Sequence, residues 1–207
     1  MNYPDHIITI DKFEESSFKE KNSVFIGQVF HCESENEANE ILTSIKKKYY
    51  DANHHCFAYK FLDGKIKYSD DGEPSGTAGI RILNVIEHLN LLNILVIVIR
   101  HFGGVKLGVG PLGKAYHISA SMVLDKAIKV KKILYQEVKV ISDFEHISQV
   151  HRILLIHKGI IEETNYGKRV NFNCLIKPSE FISISEQLIA LSKGQINVVS
   201  TSSNRYK

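Results

Sequence analysis

Six consecutive residues without a polar side chain, Ile94-Leu95-Val96-Ile97-Val98-Ile99, lie between two glycine-rich stretches of this 207-residue chain. A continuous apolar run of that length predicts a strand buried on both faces, because a strand with one wet face would alternate. The stretch before it runs Asp70-Asp71-Gly72-Glu73-Pro74-Ser75-Gly76-Thr77-Ala78-Gly79. The stretch after it runs from Arg100-His101-Phe102-Gly103-Gly104 through Val105-Lys106-Leu107-Gly108-Val109-Gly110 to Pro111-Leu112-Gly113-Lys114-Ala115-Tyr116. Glycine is costly in ordered backbone, so eight of them around one buried strand mark turns, left-handed positions or places where another group comes close. Two such loops mounted on one rigid strand are where a functional site is expected.

Composition limits the alternatives. With 43% hydrophobic and 24% charged residues the chain reads as an ordinary globular protein of one large or two small domains. No apolar stretch approaches the ~20 residues that cross a bilayer, and the first residues lack the pattern of a signal peptide. Cys32, Cys56 and Cys174 are few, odd in number and far apart, which predicts reduced, half-buried thiols and a cytoplasmic location. The net charge of +3 is small, but its distribution is uneven. Residues 1–87 hold ten basic and fifteen acidic side chains, whereas residues 88–132 hold seven basic side chains against Asp125 alone. The second glycine-rich loop therefore lies in a segment almost emptied of carboxylates, as an anion site requires.

The remaining pattern predicts an α+β protein. Strands are expected at 24–30, 54–61 and 65–68, the last two joined by the turn signal Asp63-Gly64. Ser34 and Glu37 form a capping-box pattern that opens a helix ending at Lys46-Lys47-Lys48. Ala78, Ile82, Val85, Ile86 and Leu89 supply one helical stripe, and Leu112, Ala115, Tyr116, Ser119, Val123 and Ala127 another, with Pro111 as its first residue. After a lysine-rich junction the pattern is strand 133–141, a second capping box at Ser142 and Glu145, helix 143–157, strands 160–166 and 169–176, helix 178–191 and strand 195–201. That βαββαβ order places a domain boundary near residue 130, giving domains 1–130 and 131–207.

Three constellations carry possible chemistry. In the second loop, Gly103, Gly104, Gly108 and Gly110 let backbone N–H groups turn inward ahead of a helix N-terminus, with Arg100, Lys106 and Lys114 adding charge; this is the pattern of an anion site, although not a Walker A loop. The bland alternative is that the glycines serve tight turns and close packing. In the first loop, Asp70, Asp71 and Glu73 offer carboxylates for a metal or for acid–base work, but a salt bridge to Arg100 and a helix cap from Ser75 or Thr77 explain the same residues structurally. His54-His55-Cys56 has no further ligand at metal spacing, so no metal is expected; His54 is expected to hydrogen-bond a loop carbonyl or a phosphate. Arg81 and His101 complete the residues expected to line or bridge the cleft.

Taken together, His54-His55-Cys56-Phe57-Ala58-Tyr59, the Asp70–Gly79 loop, Val98-Ile99-Arg100-His101-Phe102-Gly103-Gly104 and Leu107-Gly108-Val109-Gly110 resemble the YigZ/Impact family. The resemblance implies an N-terminal domain with the fold of ribosomal protein S5 domain 2 and a ferredoxin-like C-terminal domain similar to the last domain of elongation factor G. Eukaryotic members of the family regulate translation in the amino-acid-starvation kinase pathway through a different partner domain, which these 207 residues do not show. For bacterial members the resemblance implies a translation- or RNA-linked role. Three positions depart from the family pattern: Arg81 in place of proline, His101 in place of tyrosine and Pro111 in place of glycine. Arg81 adds charge beside the first loop, and Pro111 removes one N–H donor.

Two functions follow as expectations. The first is a non-enzymatic protein that binds RNA or the ribosome, with the phosphate groups held by the second loop and no cofactor. Eleven basic against seven acidic residues over 131–207 support it. The second is an enzyme or binder of a phosphorylated metabolite or nucleotide at the same loop.

Overall fold

A computed structural model describes residues 3–207. Its elements are β1 (His6–Ile10), β2 (Glu14–Glu20), β3 (Ser23–His31), α1 (Glu35–Lys48), β4 (His54–Lys60), β5 (Ile66–Ser69), α2 (Gly79–His88), β6 (Ile94–His101) and α3 (Val109–Lys126), followed by β7 (Lys129–Ser142), α4 (Ile147–Ile156), β8 (Ile160–Tyr166), β9 (Val170–Ile176), α5 (Phe181–Leu191) and β10 (Asn197–Tyr206). The result is a mixed α/β protein with antiparallel sheets and, among the described residues, five α-helices. None of those helices is long and apolar enough to cross a membrane.

The described residues divide into two compact units, one of residues 8–131 and one of residues 132–207 together with residues 3–7. Residues 3–7 thus belong with the later part of the chain, where the sequence pattern offers no reason to put them.

In the unit of residues 8–131 one sheet has the order β2-β3-β6-β4-β5. The apolar run is its central strand, and Ile94 to Ile99 are fully buried. The burial is two-sided because helices cover both faces. Val96 and Val98 pack with Ile82 and Ile86 of α2 and Ala120 and Val123 of α3. Leu95, Ile97 and Ile99 pack with Ala38, Leu42 and Ile45 of α1. α1 opens as its sequence predicts, with Ser34 as N-cap accepting from the Glu37 N–H. Gly27 on β3 is required by α3, since a Cβ there would lie 2.7 Å from the Ser119 carbonyl oxygen.

The unit that includes residues 132–207 is built on a five-stranded sheet in which β7, β9 and β8 are successive neighbours, β10 also pairs with β7 and β1 joins beside β7; the β10–β7, β7–β9 and β9–β8 pairs are antiparallel. Val138 and Val140 of β7 and Phe172 and Cys174 of β9 face Val150 and Ile153 of α4 and Ile184 and Leu188 of α5. One face of the sheet therefore carries both helices.

Several local expectations are revised. β1 and β2 carry no strong alternation and escape the sequence reading. The lysine-rich junction is strand, since β7 begins at Lys129. The second capping box does not form: Ser142 ends β7 with its Oγ buried and unpaired, and a short 3-10 turn precedes α4. The cysteines are fully buried rather than half-buried, and all three are free. Burial pushes the Cys32 and Cys174 thiols up to about 12, so neither is a ready thiolate.

Candidate nucleotide-binding cleft

β6 and β4 lie side by side with Arg100 opposite His54, which sets both residues at one end of the sheet. The first glycine-rich loop enters from β5 and ends in α2, and the second leaves β6 and ends in α3. They meet at that end. Glu73 Oε1 accepts from Arg100 Nη1 at 2.6 Å and from the Tyr116 hydroxyl at 2.8 Å. Between the loops lies a cleft of about 390 Å³ lined by His54, Glu73 and Arg100, by Lys106, Gly108 and Asn53, and by an apolar wall of Pro74, Phe102, Leu107, Val109 and Leu112.

The first loop is held together by its own carboxylates. Asp70 Oδ1 accepts from the N–H groups of Ala78 and Gly79, at 2.9 and 2.8 Å, and Oδ2 accepts from Gly76 at 2.9 Å. Asp70 thereby caps α2. The expected caps do not: Thr77 donates its hydroxyl to the Pro74 carbonyl and Ser75 is exposed on the loop. Burial raises the Asp70 pKa, but the three N–H donors outweigh it and hold the carboxyl below its ordinary range. Asp71 accepts from the His55 N–H at 2.7 Å and from Lys46 at 3.0 Å. Its pKa too is lowered against burial by those partners. Asp70, Asp71, Ser75 and Thr77 are therefore placed away from the cleft wall, because each is drawn into the loop's internal bonding or faces solvent.

Arg100 differs from the free phosphate ligand expected of it. Its side chain is 5% exposed and its charge faces Glu73, itself 4% exposed. Nη2 donates to Ser23 Oγ at 3.3 Å, and the guanidinium lies 5.3 Å from the ring centres of both Phe25 and Phe102. Its Nε is buried without a partner. Arg100 thus organises the floor of the cleft. His101 pairs at 3.8 Å with Asp51 and takes no part in the lining.

His54 and Glu73 define the remaining polar wall. His54 Nδ1 donates to the Asp71 carbonyl at 2.9 Å. Its Nε2 lies 3.8 Å from Glu73 Oε2, which accepts no hydrogen bond among the described residues. Below them Cys56 Sγ donates to the Asp70 carbonyl at 3.0 Å and lies 3.4 Å from the Tyr116 oxygen. Burial raises the pKa of both Cys56 and Tyr116, so Tyr116 stays a hydroxyl donor to Glu73.

The second loop has a rigid root and an open tip. A Cβ on Gly103 would lie 2.1 Å from the Asn22 carbonyl carbon, so this glycine serves the close packing of the loop on the β2–β3 turn. Gly104 and Gly108 have φ of +82° and +84° with open space around them. α3 begins at Val109, two residues earlier than expected, with Gly108 as N-cap and Pro111 third in the helix. Pro111 lacks an N–H, so the donors without an intrahelical partner at the helix start belong to Gly108, Val109 and Gly110.

The expected cationic residues divide across that helix start. Lys106 faces the cleft, whereas Lys114 and Gly110 border a second depression of about 430 Å³ together with Arg81, Asn84, Gly113 and His117. Arg81, Lys106 and Lys114 are exposed, and none forms an ion pair among the described residues. Ser23, Asn53, Phe102, Leu107, Val109 and Tyr116 complete the cleft or its floor and were not singled out as site residues. Tyr116 had a legible signal, since a buried tyrosine needs a hydroxyl partner.

Residues 21–124, which hold every residue of the cleft, match the model of the Impact N-terminal domain. The chain is 31% identical to the IMPACT family member YvyE of Bacillus subtilis over 192 residues, covering 92% of this chain and 88% of that protein. This chain belongs to the IMPACT family. The IMPACT-family protein YigZ of Escherichia coli is 26% identical over 86% of this chain and 90% of its own length. Protein IMPACT of Oryctolagus cuniculus is 40% identical over 65 residues, which are 30% of this chain and 20% of that protein. A solved structure titled only as a hypothetical protein aligns with a TM-score of 0.69 at 24% identity, over 96% of this chain and 98% of that one, and speaks to the fold alone.

Proposed function

We propose that this IMPACT-family protein is a non-enzymatic RNA-associated protein of the translation apparatus, and that the cleft between its glycine-rich loops seats one nucleotide of a bound RNA. The observation that carries the reading is the arrangement around the start of α3. Lys106 and the free N–H groups of Gly108 and Val109 stand where a phosphate would be met, beside the half-exposed ring of Phe102. The unpaired cations continue past the cleft to Arg81 and Lys114 on the other flank of the helix. A partner longer than the cleft matches that spread. The S5 domain 2-like and ferredoxin-like assignments belong to the same reading. The antiparallel run β10-β7-β9-β8 with α4 and α5 on one face supports the second of them.

The second reading, a free nucleotide or phosphorylated metabolite, is favoured by one feature. The volume of about 390 Å³ falls within the range of small-molecule sites.

The test replaces Lys106 and Lys114 together by alanine and measures binding of a single-stranded RNA against salt. Each lysine that meets one phosphate contributes about 0.7 to the slope of log K on log salt, so the double variant should bind more weakly with a slope flatter by ~1.4. An unchanged affinity and slope would remove the RNA reading. A mononucleotide that raises the melting temperature as much as a long RNA does would replace it with the second.

A further inference from the structure

The two atoms His54 Nε2 and Glu73 Oε2 face the cleft without satisfying each other. Their separation of 3.8 Å exceeds a hydrogen bond. The Asp71 carbonyl can only accept, so the proton of a neutral His54 ring is on Nδ1 and Nε2 presents a lone pair. Glu73 Oε1 is occupied by Arg100 and Tyr116, which leaves Oε2 as the acceptor turned to the cleft. Its side chain is 4% exposed, so this acceptor has little access to bulk solvent. Two acceptors side by side in a confined wall call for a ligand that brings two adjacent donors.

The chemistry across the cleft narrows the choice. The opposite side offers a cation and two free N–H groups, which suit a phosphate, and an apolar wall, which suits a base or sugar face. A ribonucleotide with both hydroxyls free carries two donors on neighbouring carbons, each able to reach one acceptor through a bond of about 2.7 Å. An internal RNA residue has only its 2′-hydroxyl, since its 3′ oxygen is esterified. A deoxynucleotide has no 2′-hydroxyl at all.

We propose that His54 and Glu73 receive the free 2′,3′-diol of a ribonucleotide, so that the cleft takes a nucleotide with an unblocked 3′ end, either the last residue of an RNA or a free mononucleotide. This rests on the nucleotide reading above and sharpens it from any nucleotide to one with an open ribose. Glu73 fixes its oxygen through Arg100 and Tyr116, and His54 is oriented by the Asp71 carbonyl, so both acceptors are positioned before the ligand arrives.

The experiment uses the full chain and a decauridylate labelled at its 5′ end, in five forms that differ only in the last residue: intact ribose, 2′-deoxy, 3′-deoxy, 3′-phosphate, and periodate-oxidised. The intact end should bind about tenfold more tightly than each of the others, the loss expected when one hydrogen bond to a charged or buried acceptor is removed. His54→Ala should shrink the penalty of one of the two deoxy ends, the one whose missing hydroxyl met His54, to less than twofold and leave the penalty of the other, while a folded protein is confirmed by its circular dichroism. Because the ligand series is run on the unaltered protein, the conclusion does not depend on the variant. Binding of all five forms within twofold of one another overturns the diol assignment and leaves the RNA reading standing. Binding of none of them, and of no uridine mononucleotide, overturns the nucleotide reading itself. Uridine 5′-monophosphate that competes as well as the decamer, and loses its effect when its diol is oxidised, supports the diol and identifies a free nucleotide as the source.

Discussion

The two loops share a high glycine content but differ in what their charged side chains do in the fold. In the first, Asp70, Asp71 and Glu73 are all engaged, with the α2 amides, with His55 and Lys46, and with Arg100 and Tyr116 respectively. In the second, only the root at Gly103 is packed, and Gly104 through Pro111 are exposed apart from Leu107. Acidic side chains turned the first loop into a scaffold, because carboxylates find backbone N–H donors and buried cations close by. The second loop lacks carboxylates and leaves its lysine and amides unanswered. Glycine density alone does not distinguish a scaffold from a binding loop; the charges interleaved with the glycines do.

Replacing Glu73 by alanine would strike the contrast hardest. It leaves the nearly buried Arg100 without its counter-charge, which should cost about 3–5 kcal/mol in urea denaturation. A loss below about 1 kcal/mol would mean that water reaches Arg100 and that the floor of the cleft is not sealed.

Gly103 and Gly104 separate root from tip within the second loop. Gly103→Ala drives a Cβ into the backbone of Asn22 and should cost about 3 kcal/mol or prevent folding. Gly104→Ala meets only its positive φ, at a cost of about 1 kcal/mol. Equal melting temperatures for the two variants would erase the distinction.

Asp70→Ala removes the cap of α2, and about 2 kcal/mol should be lost, since three amides lose a charged acceptor. Hydrogen exchange at Ala78 and Gly79 offers the sharper check: their protection should fall before that of β6.

Acid should weaken the first loop in two stages. Burial lowers the His55 pKa, against the opposing effect of its bond to the Tyr49 carbonyl, so the unfolded chain takes up that proton first. Stability should therefore decline as pH falls below about 6.5, the ordinary histidine value. The pKa values of Asp70 and Asp71 are lowered in the fold, so their contribution is present above the ordinary carboxylate range and is lost as pH drops through and below about 3.9. Thermal melts from pH 8 to pH 3 would show both stages, and a flat profile between pH 7 and pH 5 would contradict the burial of a neutral His55.

Much of the architecture is legible in the residue order. The strand 94–99, the cap at Ser34, the turn at Asp63-Gly64 and the stripes of α2 and α3 each rest on local periodicity or capping, and they stand within a few residues of where the pattern puts them. β1 and β2 were not legible because β2 is charged and only partly buried, so no alternation marks it. The cap of α2 was hidden for a different reason. It comes from Asp70, several residues upstream, where no local capping rule looks.

By itself the sequence determined that a buried strand would carry two glycine-rich loops and that the second would lie in a cation-rich, carboxylate-poor segment. Those properties depend on composition and on contacts within a few residues. Only the tertiary structure decided which charges remain available. The pairing of β4 with β6 sets His54 beside Arg100, and the return of α3 brings Tyr116 to Glu73. A charged group becomes structural or functional according to what stands within about 3 Å of it in a low-dielectric pocket. For Arg100 that neighbour is Glu73, 27 residues away in the chain. For Lys106, among the described residues, there is no such carboxylate.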